Sequence, residues 1–255
     1  MLRKMTDEKP FAADRVQLEK EAAASAALRF VRTGMVIGLG SGTTAGCFAR
    51  KLSERVQSGE LQIRAVASSL ALAKRAEEWG IPLMEPRRGL KLDLAVDGAD
   101  EISPDLVLIK GAGGALLREK VIADAARNFL IVADASKCVA TLGRRALPVE
   151  VVPFACPWVI DHLQEIGANP LLRMDKQRPG EPFVTNQQNQ IVDCHFGTIA
   201  DPASLATRLK RIPGVVEHGL FLGYATAALV ANGGTVSVLR AENPPIPLAE
   251  FHLPE

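Results

Sequence analysis

The sequence predicts an α/β fold, a doubly wound, mainly parallel sheet joined to a second, smaller α+β domain. Three observations carry this. Short apolar runs recur at 35–39, 63–67, 92–96, 106–109 and 129–132, several without polar alternation, as in parallel strands covered on both faces. Helical stretches at 44–55, 70–79 and 115–126 lie between most of them, which is the alternation of a doubly wound sheet. From residue 147 onward the rhythm changes to strand, helix, hairpin and helix.

Residues 19–32 read as a helix, because alanine, leucine and glutamate favour that state and Gly34 supplies the stop. The β-α alternation then runs to about Ala146. Beyond it, 147–152 reads as a strand, 158–166 as a helix, and 183–185 with 191–193 as a hairpin across the polar turn 186–190. A helix at 202–211 follows. The apolar, glycine-bearing segments 215–222 and 235–239 are expected to return to the main sheet. The organisation is therefore a Rossmann-like domain of residues 1–146 plus 214–255, with 147–213 as the small α+β domain. The proline-rich tail 242–255 is expected to be loosely held.

At 255 residues the chain can bury a sizeable core. Its 30 Lys and Arg balance 29 Asp and Glu, so no global field draws it to nucleic acid, and any anion site must be local. Residues 1–15 contain no apolar stretch of signal-peptide or membrane-spanning length, which points to a cytoplasmic protein. The four cysteines, Cys47, Cys138, Cys156 and Cys194, form no C-x-x-C pair, so neither zinc nor a disulfide framework is indicated.

Four segments carry chemistry. The first is Gly38-Leu39-Gly40-Ser41-Gly42-Thr43-Thr44, where a strand gives way to a helix. Glycines there permit a tight turn, and the N–H groups of the helix start, joined by the hydroxyls of Ser41, Thr43 and Thr44, suit a phosphate. Gly40-x-Gly42-x-x-Ala45 also fits a dinucleotide fingerprint, but that reading requires an acid after the next strand, where Ser68-Ser69 stands instead. The second is Asp97-Gly98-Ala99-Asp100-Glu101, after the run 92–96. Three carboxylates in five residues raise at least one pKa unless cations or hydrogen bonds intervene, and Gly98 and Ala99 leave room for a ligand at the backbone. A solvated acidic loop and a magnesium site are also compatible with that spacing.

The third segment is Lys110-Gly111-Ala112-Gly113-Gly114, leading into a helix with Arg118, Glu119 and Lys120. A lysine beside a glycine-rich helix start offers a cation and amide donors together, the equipment for an enolate-like oxygen. Glu119 alone reads as surface decoration on a helix. Its context reverses that, since these loops follow the carboxyl ends of expected strands, where open α/β sheets bind ligands. The fourth segment, Ala133-Asp134-Ala135-Ser136-Lys137, follows the run 129–132 and brings Lys137 to the same rim.

Taken together, GLGSGTT, VDGADE, KGAGGALLREK, ADASK and LPVEVVPFA resemble the type A ribose-5-phosphate isomerase family from about residue 20 to 239. The resemblance implies a metal-independent, cofactor-free aldose-ketose isomerase of the pentose phosphate pathway, homodimeric or homotetrameric, acting on a small sugar phosphate. It implies that Glu119 is the catalytic base and that Ser41, Gly42, Thr43 and Thr44 line the phosphate and sugar site. Asp97 and Asp100 would meet the sugar hydroxyls beside Gly98 and Ala99, and Lys110, Gly111, Ala112 and Gly113 would hold the reacting end. Lys137 is a further substrate contact, and Lys20 on the first helix, flanked here by Glu19 and Glu21, is another. Ala112 departs from the family's KGGG loop, which is tolerable only if its φ is negative.

In mechanistic terms Glu119 takes the carbon proton, Lys110 and the loop amides face the developing oxyanion, and Asp97 opens the furanose ring while Asp100 positions hydroxyls. Two other functions fit related sheets. A sugar-phosphate-responsive regulator would need a DNA-reading helical domain, and the residues before the first strand offer one convincing helix. A sugar-phosphate deaminase or hydrolase would be expected to use a histidine, yet His162, His195, His218 and His252 all follow the motif-bearing half.

Overall fold

The computed structural model describes residues 8–254; residues 1–7 of the N-terminal segment and Glu255 lie outside the described residues. Helix α1 (Glu8–Ala27) starts well before the expected residue 19. It is followed by β1 (Val36–Leu39), α2 (Thr43–Gln57), β2 (Arg64–Ala67), α3 (Leu70–Glu78) and β3 (Leu92–Asp97). Next come β4 (Glu101–Ile102), β5 (Leu108–Ile109), α4 (Leu116–Ala125), β6 (Ala126–Asp134), β7 (Leu147–Val151) and α5 (Cys156–Glu165). The remainder is β8 (Asn169–Leu172), β9 (Gln190–His195), α6 (Pro202–Lys210), β10 (Val215–His218), β11 (Leu220–Phe221), β12 (Ala227–Asn232), β13 (Thr235–Arg240) and β14 (Asn243–Pro247).

The main sheet has the order β14-β13-β12-β6-β3-β1-β2, with β2, β1, β3, β6 and β12 parallel and β13 and β14 antiparallel at one edge. The chain leaves β1 toward β2 and returns to β3 on the other side of β1. This is the topological switch point where α/β sheets bind ligands. Successive side chains feed opposite faces, as period-two geometry requires. Ile37, Leu39, Leu94, Val96, Leu130 and Val132 pack beneath α1 and α2, with Phe48 and Leu52. Val36, Ala95, Phe129 and Ile131 pack on the other side with Ile122 of α4.

A four-stranded antiparallel sheet, β10-β7-β9-β8, carries α5 and α6 over a separate core of Val149, Val159, Leu163, Val192 and Leu209. A third sheet, β11-β5-β4, joins the two cores: Ile102, Leu108 and Phe221 pack with the main-sheet residues and Ile109 and Leu220 with those of the four-stranded sheet.

Four expectations require correction. The run 106–109 does not enter the parallel sheet. Leu106 closes a turn at φ 56° with its N–H on Ser103 O (3.0 Å), so only Leu108 and Ile109 extend, antiparallel to β4 and β11. Segment 215–222 does not return to the main sheet either: β10 pairs with β7 and β11 with β5, and the strand that returns beside β6 is β12. The strands that flank β9 are β7 and β8, whereas 183–185 contributes one bridge to it, Val184 to Gln190. Finally, the tail is ordered into β14, and Phe251 is buried against Phe30 with ring centroids 5.5 Å apart.

Candidate active site

Gly40 directly follows strand β1, and its N–H bonds Val96 O on the neighbouring strand at 2.9 Å. A Cβ on Gly40 would stand 2.0 Å from Asp97 Cγ, so only glycine lets β1 run beside that carboxyl. Gly42 then turns the chain at φ 94° into α2. Thr44 is buried, Thr43 is exposed, and Ser41 Oγ lies 2.6 Å from Ser68 Oγ. Lys20 reaches this turn from α1, its Nζ donating to Thr43 Oγ1 at 3.0 Å.

At the end of β3 the three clustered acids separate. Glu101 turns away and accepts the N–H groups of Gly143 (2.8 Å) and Arg145, tying β4 to the 143–145 loop. Asp100 Oδ2 accepts the Ala112 N–H at 2.9 Å. Asp97, 2 % exposed, accepts the Gly98 N–H on Oδ1 (2.7 Å) and Lys110 Nζ on Oδ2 (2.7 Å).

Lys110 is itself 3 % exposed and also donates to Gly98 O at 2.6 Å. On its other side Glu119 Oε2 approaches to 3.2 Å. That is ion-pair distance without hydrogen-bond alignment, and Glu119 Oε2 has no hydrogen-bond partner among the described residues. One ammonium is thus shared by two buried carboxylates. Burial first, and the Glu119 charge second, push the Asp97 carboxyl up to about 7, against the pull of Lys110. Asp97 and Glu119 together outweigh the desolvation of Lys110 and raise its pKa, so it stays an ammonium. Glu119 sits in the first turn of α4.

The glycine loop connects these groups. Gly111 has φ 101° and Gly114 φ 84°, while Ala112 is not among the residues of positive φ, so its methyl carries no backbone strain. Lys137 follows β6 and completes the wall. Together Ser41, Gly42, Thr43, Thr44, Gly98, Ala99, Asp100, Lys110, Gly111, Ala112, Gly113, Glu119 and Lys137 line one cleft of about 100 Å³. Of the expected site residues, Asp97 and Lys20 do not line it. Asp97 lies directly behind Lys110, and Lys20 stands beside Thr43. None of the four histidines lines it. His218 is buried behind α4 and held neutral, its pKa pushed down to about 4 by burial and then by Lys120.

Sequence reasoning missed the contribution of the small sheet. Arg173 binds the carbonyls of Gly111 and Ala112, and the Phe183 ring packs where a Cβ on Gly114 would be, 2.4 Å away. No motif flags either residue. Their placement depends on β8, which the sequence did not announce.

A buried carboxylate with an oxygen free of hydrogen bonds, beside a cation and loop amides, can move a proton between neighbouring carbons, and a glycine and hydroxyl turn in the same cleft can hold a phosphate. Those capacities in one cleft define the class of sugar-phosphate isomerases that work through an enediolate. Comparison with known proteins narrows the class. The family model described as ribose 5-phosphate isomerase A (phosphoriboisomerase A) matches residues 64–234. Ribose-5-phosphate isomerase A of Roseiflexus sp. (strain RS-1) is 50 % identical over 226 residues, covering 88 % of this chain and 96 % of that protein. A ribose 5-phosphate isomerase A structure from Methanocaldococcus jannaschii superimposes with TM-score 0.84 at 36 % identity, covering 88 % of this chain and 99 % of the other. A D-ribose-5-phosphate isomerase solved in complex with phospho-erythronic acid gives TM-score 0.85 at 37 % identity, with the same coverage.

The chain belongs to the ribose-5-phosphate isomerase A family. It is an aldose-ketose isomerase interconverting D-ribose 5-phosphate and D-ribulose 5-phosphate, and its place in the non-oxidative pentose phosphate pathway follows from the family.

Proposed function

We propose that Glu119 is the base of this isomerisation, moving the proton between C2 of ribose 5-phosphate and C1 of ribulose 5-phosphate. The observation that carries this is the buried Glu119 Oε2, which faces the cleft's ammonium yet has no hydrogen-bond partner among the described residues. A carboxylate so placed keeps a lone pair for a carbon-bound proton. Lys110 and the loop amides stabilise the enediolate oxygens, and Lys110 stays charged between its two carboxylates. Asp97 does not line the cleft, so its part in opening the furanose ring is exerted through the Lys110 ammonium that its Oδ2 holds at 2.7 Å. Ser41, Gly42, Thr43 and Thr44 take the phosphate with Lys137. Asp100 and the backbone at Gly98 and Ala99 orient the hydroxyls, and Lys20 holds the phosphate turn through Thr43. The reaction in this reading needs no metal.

The test is Glu119→Gln. A positioned base contributes about 10² to 10⁴-fold, so kcat should fall by that factor while inorganic phosphate still competes with nearly unchanged affinity. Near-normal turnover would show that another group is the base. The absence of histidine from the cleft wall favours isomerisation over deamination or hydrolysis, and parallel assays of ribose 5-phosphate isomerisation and hexosamine-phosphate deamination separate these. Among the described residues no helix is long and apolar enough to cross a membrane. We take the enzyme to work in the cytoplasm as a homodimer or homotetramer, which light scattering on the purified protein checks.

A further inference from the structure

The glycine loop that meets the reacting end is gripped from outside the main sheet. Arg173 directly follows β8, and its side chain is 15 % exposed. Its Nε and Nη2 donate to Asp193 Oδ2 (2.8 Å) and Oδ1 in a two-pronged fork. Asp193 lies on β9, which pairs with β8, so the fork rests on sheet hydrogen bonding. The remaining nitrogen, Nη1, donates to Gly111 O at 3.2 Å and Ala112 O at 3.1 Å. Phe183 completes the grip. Its N–H bonds Arg173 O at 2.8 Å, and its ring lies 5.8 Å from the guanidinium and against Gly114.

The planarity of the trans peptide turns this grip into a statement about the cleft. In each peptide unit C=O and N–H point in opposite directions. The Gly111 carbonyl faces Arg173, and the Ala112 N–H of the same unit points the other way, onto Asp100 Oδ2 at 2.9 Å. By the same rule, holding the Ala112 carbonyl aims the Gly113 N–H away from Arg173. That N–H bonds nothing among the described residues, and Gly113 lines the cleft with Lys110 and Glu119.

We propose that Arg173, locked by Asp193, is a positioning residue for isomerisation: it fixes the Gly111 and Ala112 carbonyls so that the Gly113 N–H is presented to the oxyanion of the enediolate. The proposal rests on the reading that the glycine loop holds the reacting end. Arg173 touches no reacting atom. Its effect is on the orientation of a donor used most in the transition state, so it belongs to kcat.

The experiment compares the wild-type chain with Arg173→Ala, Arg173→Lys, Asp193→Asn and Glu119→Gln. Losing one oriented oxyanion donor costs about 10² to 10³-fold, so Arg173→Ala should lose that much kcat with KM within about threefold of wild type. Guanidinium ion at millimolar concentration should restore at least about tenfold of that loss, where sodium chloride at equal ionic strength does not. Arg173→Lys, which cannot hold both carbonyls and the fork, should fall between. Should Arg173→Ala not fold, Asp193→Asn keeps the arginine but loosens its fork, and should lower kcat about tenfold at unchanged KM. Wild-type kcat in either folded variant, or a kcat loss that guanidinium does not relieve, overturns the proposal. If Arg173→Ala is normal while Glu119→Gln is dead, the positioning role fails and the base stands; if Glu119→Gln is active, the base reading fails whatever Arg173 does.

Discussion

Two buried carboxylates on one ammonium set the chemistry of single residues here. Asp97 in the folded chain has its pKa pushed up to about 7, above the 3.8 of the free carboxyl. A folded-state pKa above the unfolded value means the folded protein takes up a proton that the unfolded chain releases. That contribution is complete below about pH 4 and is lost as pH rises through about 7. Asp97→Asn, neutral throughout, lacks it. Between pH 5 and pH 8 the stability of wild type should therefore fall relative to the variant, by at most about 1.4 kcal/mol per pH unit in denaturant titrations. Parallel pH dependences would mean that Asp97 titrates as an ordinary carboxyl. This coupling was half legible in the sequence, because crowded acids predict a raised pKa. What spacing could not say was which acids are crowded: Asp97 meets Glu119 from another element, not its sequence neighbours.

At the scale of elements, Glu101 shows how a motif divides. It belongs to the acidic run by position but serves as a backbone clamp, accepting the Gly143 and Arg145 N–H groups while 1 % exposed. Glu101→Ala should destabilise the fold by roughly 1–3 kcal/mol for each orphaned N–H, with kcat of the folded fraction changed only a few-fold. Loss of activity at unchanged melting temperature would return Glu101 to the chemistry. The elements themselves were legible where apolar runs are long and separated by helices, as at β1, β3 and β6. Strand β12 escaped because Ala-Ala-Leu-Val-Ala-Asn carries little strand propensity, three alanines and an asparagine surrounding the single β-branched Val230. Its small residues are explained by packing, since Ala23, Ala24 and Ala27 of α1 share a core with Ala227, Leu229 and Ala231. The run 106–109 has strand composition but spends its first residues on a turn, which local composition does not reveal.

Across the whole molecule, the main sheet separates function from closure. The cleft occupies the carboxyl ends of the parallel strands, while the tail closes the opposite end, where Phe251 packs on Phe30 ahead of β1. Proline content suggested a loose tail, but prolines are tolerated on an edge strand, and β14 is that edge. Phe251→Ala should cost roughly 3 kcal/mol of stability in thermal or denaturant unfolding and leave KM for ribose 5-phosphate unchanged. An altered KM at full stability would instead connect the tail to the cleft.

The roles of these residues depend on where the substrate sits, and a neighbouring groove of about 800 Å³, lined by Arg145, Arg173 and Lys176, offers a rival seat for an anion. A crystal structure of the Glu119→Gln variant with ribose 5-phosphate bound decides between them. The phosphate should lie on the Ser41–Gly42–Thr43–Thr44 turn and C1 and C2 within about 3.5 Å of the residue 119 side chain, the distance of a near-attack pair. A phosphate seated between Arg145 and Lys176, with C1 and C2 out of reach of residue 119, would contradict it.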